Sequence, residues 1–154
     1  HTECRRQRQM CIRDRFSGQV SGESIIEKNQ VEIKEIFEQE NIEEILKKTY
    51  SLSQNGSEFS KNTEHELKGK SPTSLKITFK QIHMATEMSL RDALIMEYRM
   101  VQRCQASGDF YEGVRAMLVD KDRSPQWNPS NLDKVDEIWV NHFFEPLHEK
   151  DLKI

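Results

Sequence analysis

The sequence predicts an all-α chain. Apolar residues recur three and four positions apart in several stretches, as they do along one face of a helix. Residues that suit helix starts stand before these stretches, and glycines or prolines stand after them. We divide the chain into an N-terminal segment over residues 1–20, an acidic helical segment over 21–70 and a C-terminal helical region over 71–154.

The composition is too polar for one dense core along the whole chain. Apolar residues make up 35%, charged residues 32%, and the mean hydropathy is -0.81. Globular domains typically hold about 45–50% apolar and about 25% charged residues. We therefore expect that part of the chain is loosely ordered, or that it packs against something that this sequence does not include.

Charge and cysteine content exclude several classes of protein. The net charge is -3, the pI is about 6.0 and there is no basic stripe with aromatics, so we predict no nucleic-acid partner. No apolar run approaches the ~20 residues that span a bilayer, so we predict no membrane insertion. The 3 scattered cysteines argue against a disulfide framework and for a reducing compartment. We expect Cys104 to be a small buried hydrophobic residue.

Residues 1–20 differ from the rest of the chain, being rich in arginine and without a helical apolar period. Three interpretations are open: a transit peptide, a basic arm for an anionic partner, or sequence that is not native to the protein. We favour the third, with disorder as the structural expectation. His1, Cys4 and Cys11 match no zinc-binding spacing, so no metal site is predicted there.

The acidic segment contains two clear helix signals after a ragged apolar stripe. Asn41 is a good N-cap and Glu44 follows three residues later, close to a capping box. The run SQNGSEF at 53–59 then breaks the helical pattern. A polar helix is predicted around residues 57–68.

Residues 71–107 predict two stronger helices. The first starts at Ser71-Pro72, although ITF within it also fits a strand, and the second is capped by Ser89. Its expected apolar stripe is Leu90, Leu94, Val101 and Cys104, widened by Ala93 and Met100. Glu97 falls in this stripe and needs a partner if buried, so we expect an Arg or backbone NH groups beside it; a catalytic acid is the alternative.

The last part of the chain predicts two helices joined by an extended link. Asp109 is the expected cap of the first helix, and Gly113 allows a neighbouring element to approach closely. Residues 125–129 are expected to be extended because residues before proline avoid the helix. Ser130 or Asn131 caps the last helix. The side chains expected to be buried are Phe110, Val114, Met117 and Leu118. The last helix carries the apolar residues Leu132, Val135, Ile138, Trp139 and Phe143.

No motif for a self-contained active site is present in the sequence. It lacks a glycine-rich phosphate loop, a GxSxG, an HExxH and a cysteine pair at metal-binding spacing. His65, His83, His142 and His148 have no placed carboxylate or serine in sequence, so we expect them to be structural or exposed to solvent.

Three runs resemble the C-terminal region of the 3-hydroxyisobutyryl-CoA hydrolase family, within the crotonase (enoyl-CoA hydratase/isomerase) superfamily. They are KSPTSLKITFKQ at 70–81, LRDALIMEYRMVQRC at 90–104 and DFYEGVRAMLVDKDRSPQWNP at 109–129. The resemblance covers residues 21–154. It implies that this chain is the trailing helical portion of a crotonase-like α/β fold built from repeated ββα turns.

The resemblance also implies a thioesterase that cleaves 3-hydroxyisobutyryl-CoA during valine breakdown in the mitochondrial matrix. It implies no cofactor, since CoA is part of the substrate. The family's oxyanion hole and catalytic acids lie upstream, so Glu97, Glu112 and Asp120 receive no catalytic role. Lys121 resembles a basic position that meets CoA phosphates; alternatively it pairs only with Asp120 or Asp122 at the surface.

Three hypotheses follow. The first is a C-terminal fragment of the hydrolase that is inactive alone, needs the missing N-terminal body and takes part in a homo-oligomer. The second is a non-catalytic helical interaction module, whose apolar faces at 90–104 and 132–143 bind a partner. The third is a crotonase-like protein without hydrolase activity, which only upstream acidic residues would distinguish from the first.

Overall fold

The computed structural model describes residues 22–154, so the prediction for residues 1–20 lies outside the described part. The chain divides into two compact units, residues 1–35 and residues 36–154. Every regular element within residues 22–154 is helical, which confirms the all-α prediction for that range. The first helix, α1 (Ile25–Lys28), begins with a capping box between Ser24 and Glu27, and α2 spans Gln30–Phe37.

A closely packed pair of helices opens the larger unit. Helix α3 is Ile42–Gln54 and α4 is Glu58–Lys68, so the predicted break is shorter than 53–59. The Asn41 side chain accepts from the Glu44 backbone NH at 2.9 Å, which confirms the predicted cap. The contact between the two helices is built from small residues, which let the backbones approach; those that are buried are Thr49, Ser53 and Ser60.

Two longer helices follow, and both predicted caps are confirmed. Helix α5 is Pro72–Ala85 and α6 is Leu90–Ala106. The Ser71 hydroxyl accepts from the Ser74 backbone NH, and the Ser89 hydroxyl accepts from the Asp92 backbone NH, each at 3.2 Å. The ITF run is therefore helical. Ile77 and Phe79 lie on different sides of α5 and pack in different apolar clusters.

The predicted buried face of α6 is wrong at Leu90, Leu94 and Val101, whereas Met100 is buried as predicted. Met96 and Met100, four residues apart, are buried, whereas Leu90 is 78% and Val101 49% exposed. Apolar residues lie on two sides of this helix, and the sequence pattern alone does not tell which side is covered. Glu97 lies outside the buried face and accepts from the Gln81 side-chain NH₂ at 3.2 Å, so it meets neither an arginine nor backbone NH groups.

The last part of the chain is more broken than predicted. Helix α7 is Gly108–Val114, followed by a π-helical turn over Arg115–Val119. One predicted last helix is instead a 3₁₀ turn (Leu132–Lys134), helix α8 (Glu137–His142) and a 3₁₀ turn (His148–Lys150). Neither Ser130 nor Asn131 caps α8. Asp136 does so by accepting from the Trp139 backbone NH at 2.6 Å, and its position explains why the helix starts late.

Two apolar clusters form the interior of residues 36–154. The larger joins α5, α6 and the C-terminal elements, and the smaller lies among α2 and α3; their buried members are Ile77, Met96, Met100, Val135, Val140 and Phe143, and Ile36, Ile42 and Ile45. Among the apolar residues of the predicted last helix, Val135 and Phe143 are buried, whereas Ile138 (82%) and Trp139 (42%) are exposed.

Ion pairs connect distant parts of this unit. Lys76 donates to Glu43 at 2.8 Å and to the Val135 carbonyl at 3.0 Å. The Arg99 guanidinium binds Asp151 with two N–H groups, which holds the chain end against α6. Within residues 22–154, no helix is both long enough and apolar enough to cross a bilayer.

Candidate functional site

The segment from Asp109 to Pro129 is held to the rest of the unit by the Asp109 carboxylate. Asp109 lies inside α7, after Ser107, and that helix has no side-chain cap, so the predicted capping role is wrong. Its carboxylate instead accepts from the Ser71 hydroxyl at 2.5 Å and from the Asn128 backbone NH at 2.9 Å. One carboxylate therefore connects the starts of α5 and α7 to the extended link.

Trp127 packs against the glycine of α7. A Cβ atom built on Gly113 would lie 3.4 Å from Cη2 of Trp127, so the glycine does permit a close approach, as predicted. The Trp127 indole NH donates to the Gly69 carbonyl at 3.0 Å. Residues 121–127 have no regular structure, in agreement with the predicted extended link.

Arg115 is the centre of an acidic cluster in this segment. Its guanidinium donates to both Glu112 oxygens at 2.8 and 2.7 Å, to Asp120 at 2.7 Å and to Asp122 at 2.6 Å. It also donates to the Ser124 carbonyl at 3.3 Å. Sequence reasoning missed Arg115. The only available signal was its position three residues after Glu112, which is the spacing of neighbours on a helix.

These contacts shift the acid–base properties of the cluster. Hydrogen bonds from Arg115 and from the Gln126 backbone NH lower the pKa of Glu112 to about 2. Hydrogen bonds from Arg115 and from the Ser124 backbone NH also lower the pKa of Asp122. The same carboxylates raise the pKa of Arg115, so Arg115, Glu112 and Asp122 are all charged near neutral pH.

Lys121 lies at the tip of this charged turn and is exposed. Its φ is 58°, in the left-handed region that non-glycine residues rarely adopt, and Arg123 has a φ of 54°. The alternative prediction paired Lys121 with Asp120 or Asp122, but both carboxylates form ion pairs with Arg115. Among residues 22–154, no carboxylate forms an ion pair with Lys121.

The apolar residues around this turn are more exposed than predicted. Met117 is 56% and Leu118 68% exposed, and Phe110 is 46% exposed, whereas Ala116 is fully buried. The π-helical turn over Arg115–Val119 takes Met117 and Leu118 out of the phase of a regular helix. Several apolar side chains of α7 and of this turn are exposed; they are Phe110, Tyr111, Met117, Leu118 and Val119.

A cavity of about 610 Å³ adjoins the start of α7. Its lining is mainly apolar and includes Ile42, Ile77, Phe79, Phe110 and Trp127. Cys104 also lines it and is only half-buried, in partial agreement with the predicted buried role. Burial raises the pKa of the Cys104 thiol, which therefore stays protonated near neutral pH and lacks the character of a nucleophile.

The polar side chains in the described range do not assemble into a catalytic set. Glu97 contacts Gln81, and Glu112 and Asp120 contact Arg115. His83 Nδ1 lies 2.9 Å from the Phe79 carbonyl, and His142 Nδ1 lies 2.8 Å from the Glu145 carboxylate. Across residues 22–154, no group of three or more His, Cys, Asp or Glu side chains is placed to hold a metal ion.

Several curated proteins that are similar to this chain share one name. The chain is 42% identical over 132 residues to "3-hydroxyisobutyryl-CoA hydrolase, mitochondrial" from Gallus gallus, covering 86% of this chain and 34% of that protein. The Danio rerio protein of the same name is 43% identical over 130 residues, and the Homo sapiens protein 41% over 129. Each of these two matches covers 84% of this chain and 33% of the relative. The chain thus spans about a third of these relatives.

Solved structures and a family profile agree with this result. An enoyl-CoA hydratase from Rhodobacter sphaeroides 2.4.1 superposes with a TM-score of 0.78 at 28% identity, over 88% of this chain and 40% of that one. A carnitinyl-CoA dehydratase from Mycobacterium thermoresistibile gives 0.78 at 26%, over 88% and 38%. The sequence profile of the enoyl-CoA hydratase/isomerase family matches residues 3–144. The chain therefore belongs to the enoyl-CoA hydratase/isomerase family, also called the crotonases.

Proposed function

We propose that this chain is the C-terminal part of a 3-hydroxyisobutyryl-CoA hydrolase. The enzyme is a thioesterase that releases 3-hydroxyisobutyrate and CoA during valine catabolism, in the mitochondrial matrix. The observation that carries the proposal is the 42% identity to the Gallus gallus hydrolase over 86% of this chain. The aligned residues include 120–129, DKDRSPQWNP, a run that contains Lys121.

The chemistry of the proposed enzyme belongs to the part of the protein that this chain does not cover. Thioester hydrolysis requires donors for the developing oxyanion and a group that moves protons from the attacking water. Glu112 and Asp120 are both ion-paired to Arg115, and Glu97 contacts Gln81 instead of joining them. We therefore expect the 154-residue chain alone to be inactive.

The contribution that we propose for this chain to substrate binding is a contact to CoA phosphates by Lys121. The Lys121 side chain is exposed, and its two acidic neighbours are ion-paired to Arg115. An exposed pair of this kind is worth about 0.2–1 kcal/mol, so it affects substrate affinity and not the chemical step.

The exposed apolar surface of α7 and the π-helical turn supports a second contribution, which is packing. Exposed apolar residues that lie together mark interaction sites in soluble proteins. We propose that the rest of the hydrolase polypeptide covers this surface and the adjoining cavity, and that a second copy of the enzyme completes a homo-oligomer. The interaction-module hypothesis uses other exposed apolar residues, on the faces at 90–104 and 132–143, and requires no hydrolase body.

The test is a chimera in which this chain replaces the matching segment of the Gallus gallus hydrolase. We expect CoA release from 3-hydroxyisobutyryl-CoA by the chimera and none by this chain alone. The crotonase-like alternative is tested upstream of this chain, because the acidic residues that distinguish it are encoded there. A folded chimera that releases no CoA contradicts the proposal. An upstream reading frame without a crotonase body would support the interaction module instead.

A further inference from the structure

We propose that Arg115 is a positioning residue for the coenzyme. It binds the two carboxylates on either side of Lys121 and so leaves the Lys121 ammonium free to meet a phosphate group. This inference rests on the proposed function, because it presupposes that the chain helps to bind a CoA thioester. It goes further in assigning a role to a residue that does not itself contact substrate.

The Arg115 side chain forms hydrogen bonds to residues on both sides of Lys121. One NH group lies 2.7 Å from Asp120 and 2.6 Å from Asp122, so the two acids share a single terminal nitrogen. The other side of the guanidinium forms a two-bond pair with Glu112 at 2.8 and 2.7 Å. Glu112 is fixed in turn by the Gln126 backbone NH at 2.6 Å. One edge of the Arg115 guanidinium is therefore fixed by Glu112, and the nitrogen on the other side binds the two acids of the turn.

The charges of this cluster explain why the arrangement matters for an anion. Asp120 and Asp122 are the immediate neighbours of Lys121 in sequence, and either carboxylate would attract its ammonium and repel a phosphate. Arg115 supplies a positive charge to both. Without it, we expect both acids to turn towards Lys121 and to compete with the phosphate.

The backbone of the turn needs the same support. The left-handed conformations of Lys121 and Arg123 persist only where surrounding contacts impose them. The Arg123 backbone NH donates to the Ala116 carbonyl at 3.0 Å, and the Ser124 backbone NH donates to Asp122 at 2.9 Å. Because Arg115 also binds Asp122 and the Ser124 carbonyl, it braces the residues that set the direction of Lys121.

The test compares two substrates with the chimera described above: 3-hydroxyisobutyryl-CoA, and the pantetheine thioester of the same acid, which lacks the CoA phosphates. We expect Lys121→Ala and Arg115→Met each to raise KM for the CoA thioester about 2- to 5-fold, with kcat unchanged. The double variant should match Lys121→Ala. KM for the pantetheine thioester should not change in any of them.

A purely structural role for Arg115 would give a different pattern. It would change kcat, or would raise KM for both substrates equally, or would add its full effect to that of Lys121→Ala; each of these results overturns the inference. If Arg115→Met does not fold, as judged by circular dichroism, Arg115→Lys replaces it, because an ammonium lacks the planar fork that binds several carboxylates. KM of Arg115→Lys is then measured for both substrates, alone and combined with Lys121→Ala.

Failure of the proposed function is visible separately. A parent chimera that cannot hydrolyse the CoA thioester rejects the function and this inference together. An unchanged KM in Lys121→Ala rejects the phosphate contact, and the Arg115 role with it. If Lys121→Ala raises KM for the CoA thioester while Arg115→Met does not, the contact stands and only the positioning role is wrong.

Discussion

Replacing Asp109 distinguishes the contacts seen in the structure from the capping role that the sequence suggests. Asparagine and serine are as good as aspartate at an N-cap, so Asp109→Asn and Asp109→Ser would be nearly neutral if Asp109 were a cap. In the structure the two carboxylate oxygens accept separate hydrogen bonds, from Ser71 at 2.5 Å and Asn128 at 2.9 Å. Serine is too short to accept both, and asparagine has a single acceptor oxygen.

The expected losses follow from these bonds. A hydrogen bond to a charged group contributes about 1.5–3 kcal/mol, so we expect about 1–2 kcal/mol for Asp109→Asn and about 2–4 kcal/mol for Asp109→Ser. The measurement is urea unfolding of the chain followed by circular dichroism. Asp133→Asn is the matched control, because Asp133 is exposed and makes no side-chain bond within residues 22–154. Changes within about 0.5 kcal/mol for both Asp109 variants would refute the reasoning.

The remaining predictions concern the core, the tryptophan contact and the acidic cluster. Phe143→Ala should cost about 3–5 kcal/mol in urea unfolding because Phe143 is 1% exposed, whereas Ile138→Ala should cost under about 1 kcal/mol; equal losses would contradict the assigned core. Gly113→Ala should be tolerated, because the new Cβ meets Trp127 at 3.4 Å, but Gly113→Leu should displace Trp127 and change its fluorescence; an unchanged emission spectrum would count against that contact. The pKa of Glu112 is lowered to about 2, so its stabilising effect is complete above about pH 4.5 and is lost as the pH falls towards 2. In an acid titration of the folded fraction, Glu112→Gln should therefore lack the loss of stability that the parent chain shows between those pH values. Identical curves for the two proteins would contradict this.

Local signals in the sequence predicted the helix starts well. Asn41, Ser71 and Ser89 each accept the backbone NH expected of a cap, because that interaction depends only on residues within one turn. The close approach at Gly113 was also predictable, although the sequence did not show that Trp127 is the approaching residue.

Features that depend on distant residues were not predictable. Asp109 fits the local rule for a cap, but Ser71 and Asn128 give its carboxylate stronger partners. The buried face of α6 depends on which side the C-terminal elements cover, and they cover Met96 and Met100. Arg115 was overlooked for the same reason, since its partners are brought together by a π-helical turn that has no clear sequence signature.

The measurement that tests the central claim most directly is kcat/KM of the chimera for 3-hydroxyisobutyryl-CoA, relative to the intact Gallus gallus hydrolase. We expect a value within about 10-fold of that enzyme, a difference of about 1.4 kcal/mol in the barrier, because this chain supplies packing and a phosphate contact only. We expect no hydrolysis by the chain alone. CoA release by the isolated chain, or a folded chimera without activity, would contradict it.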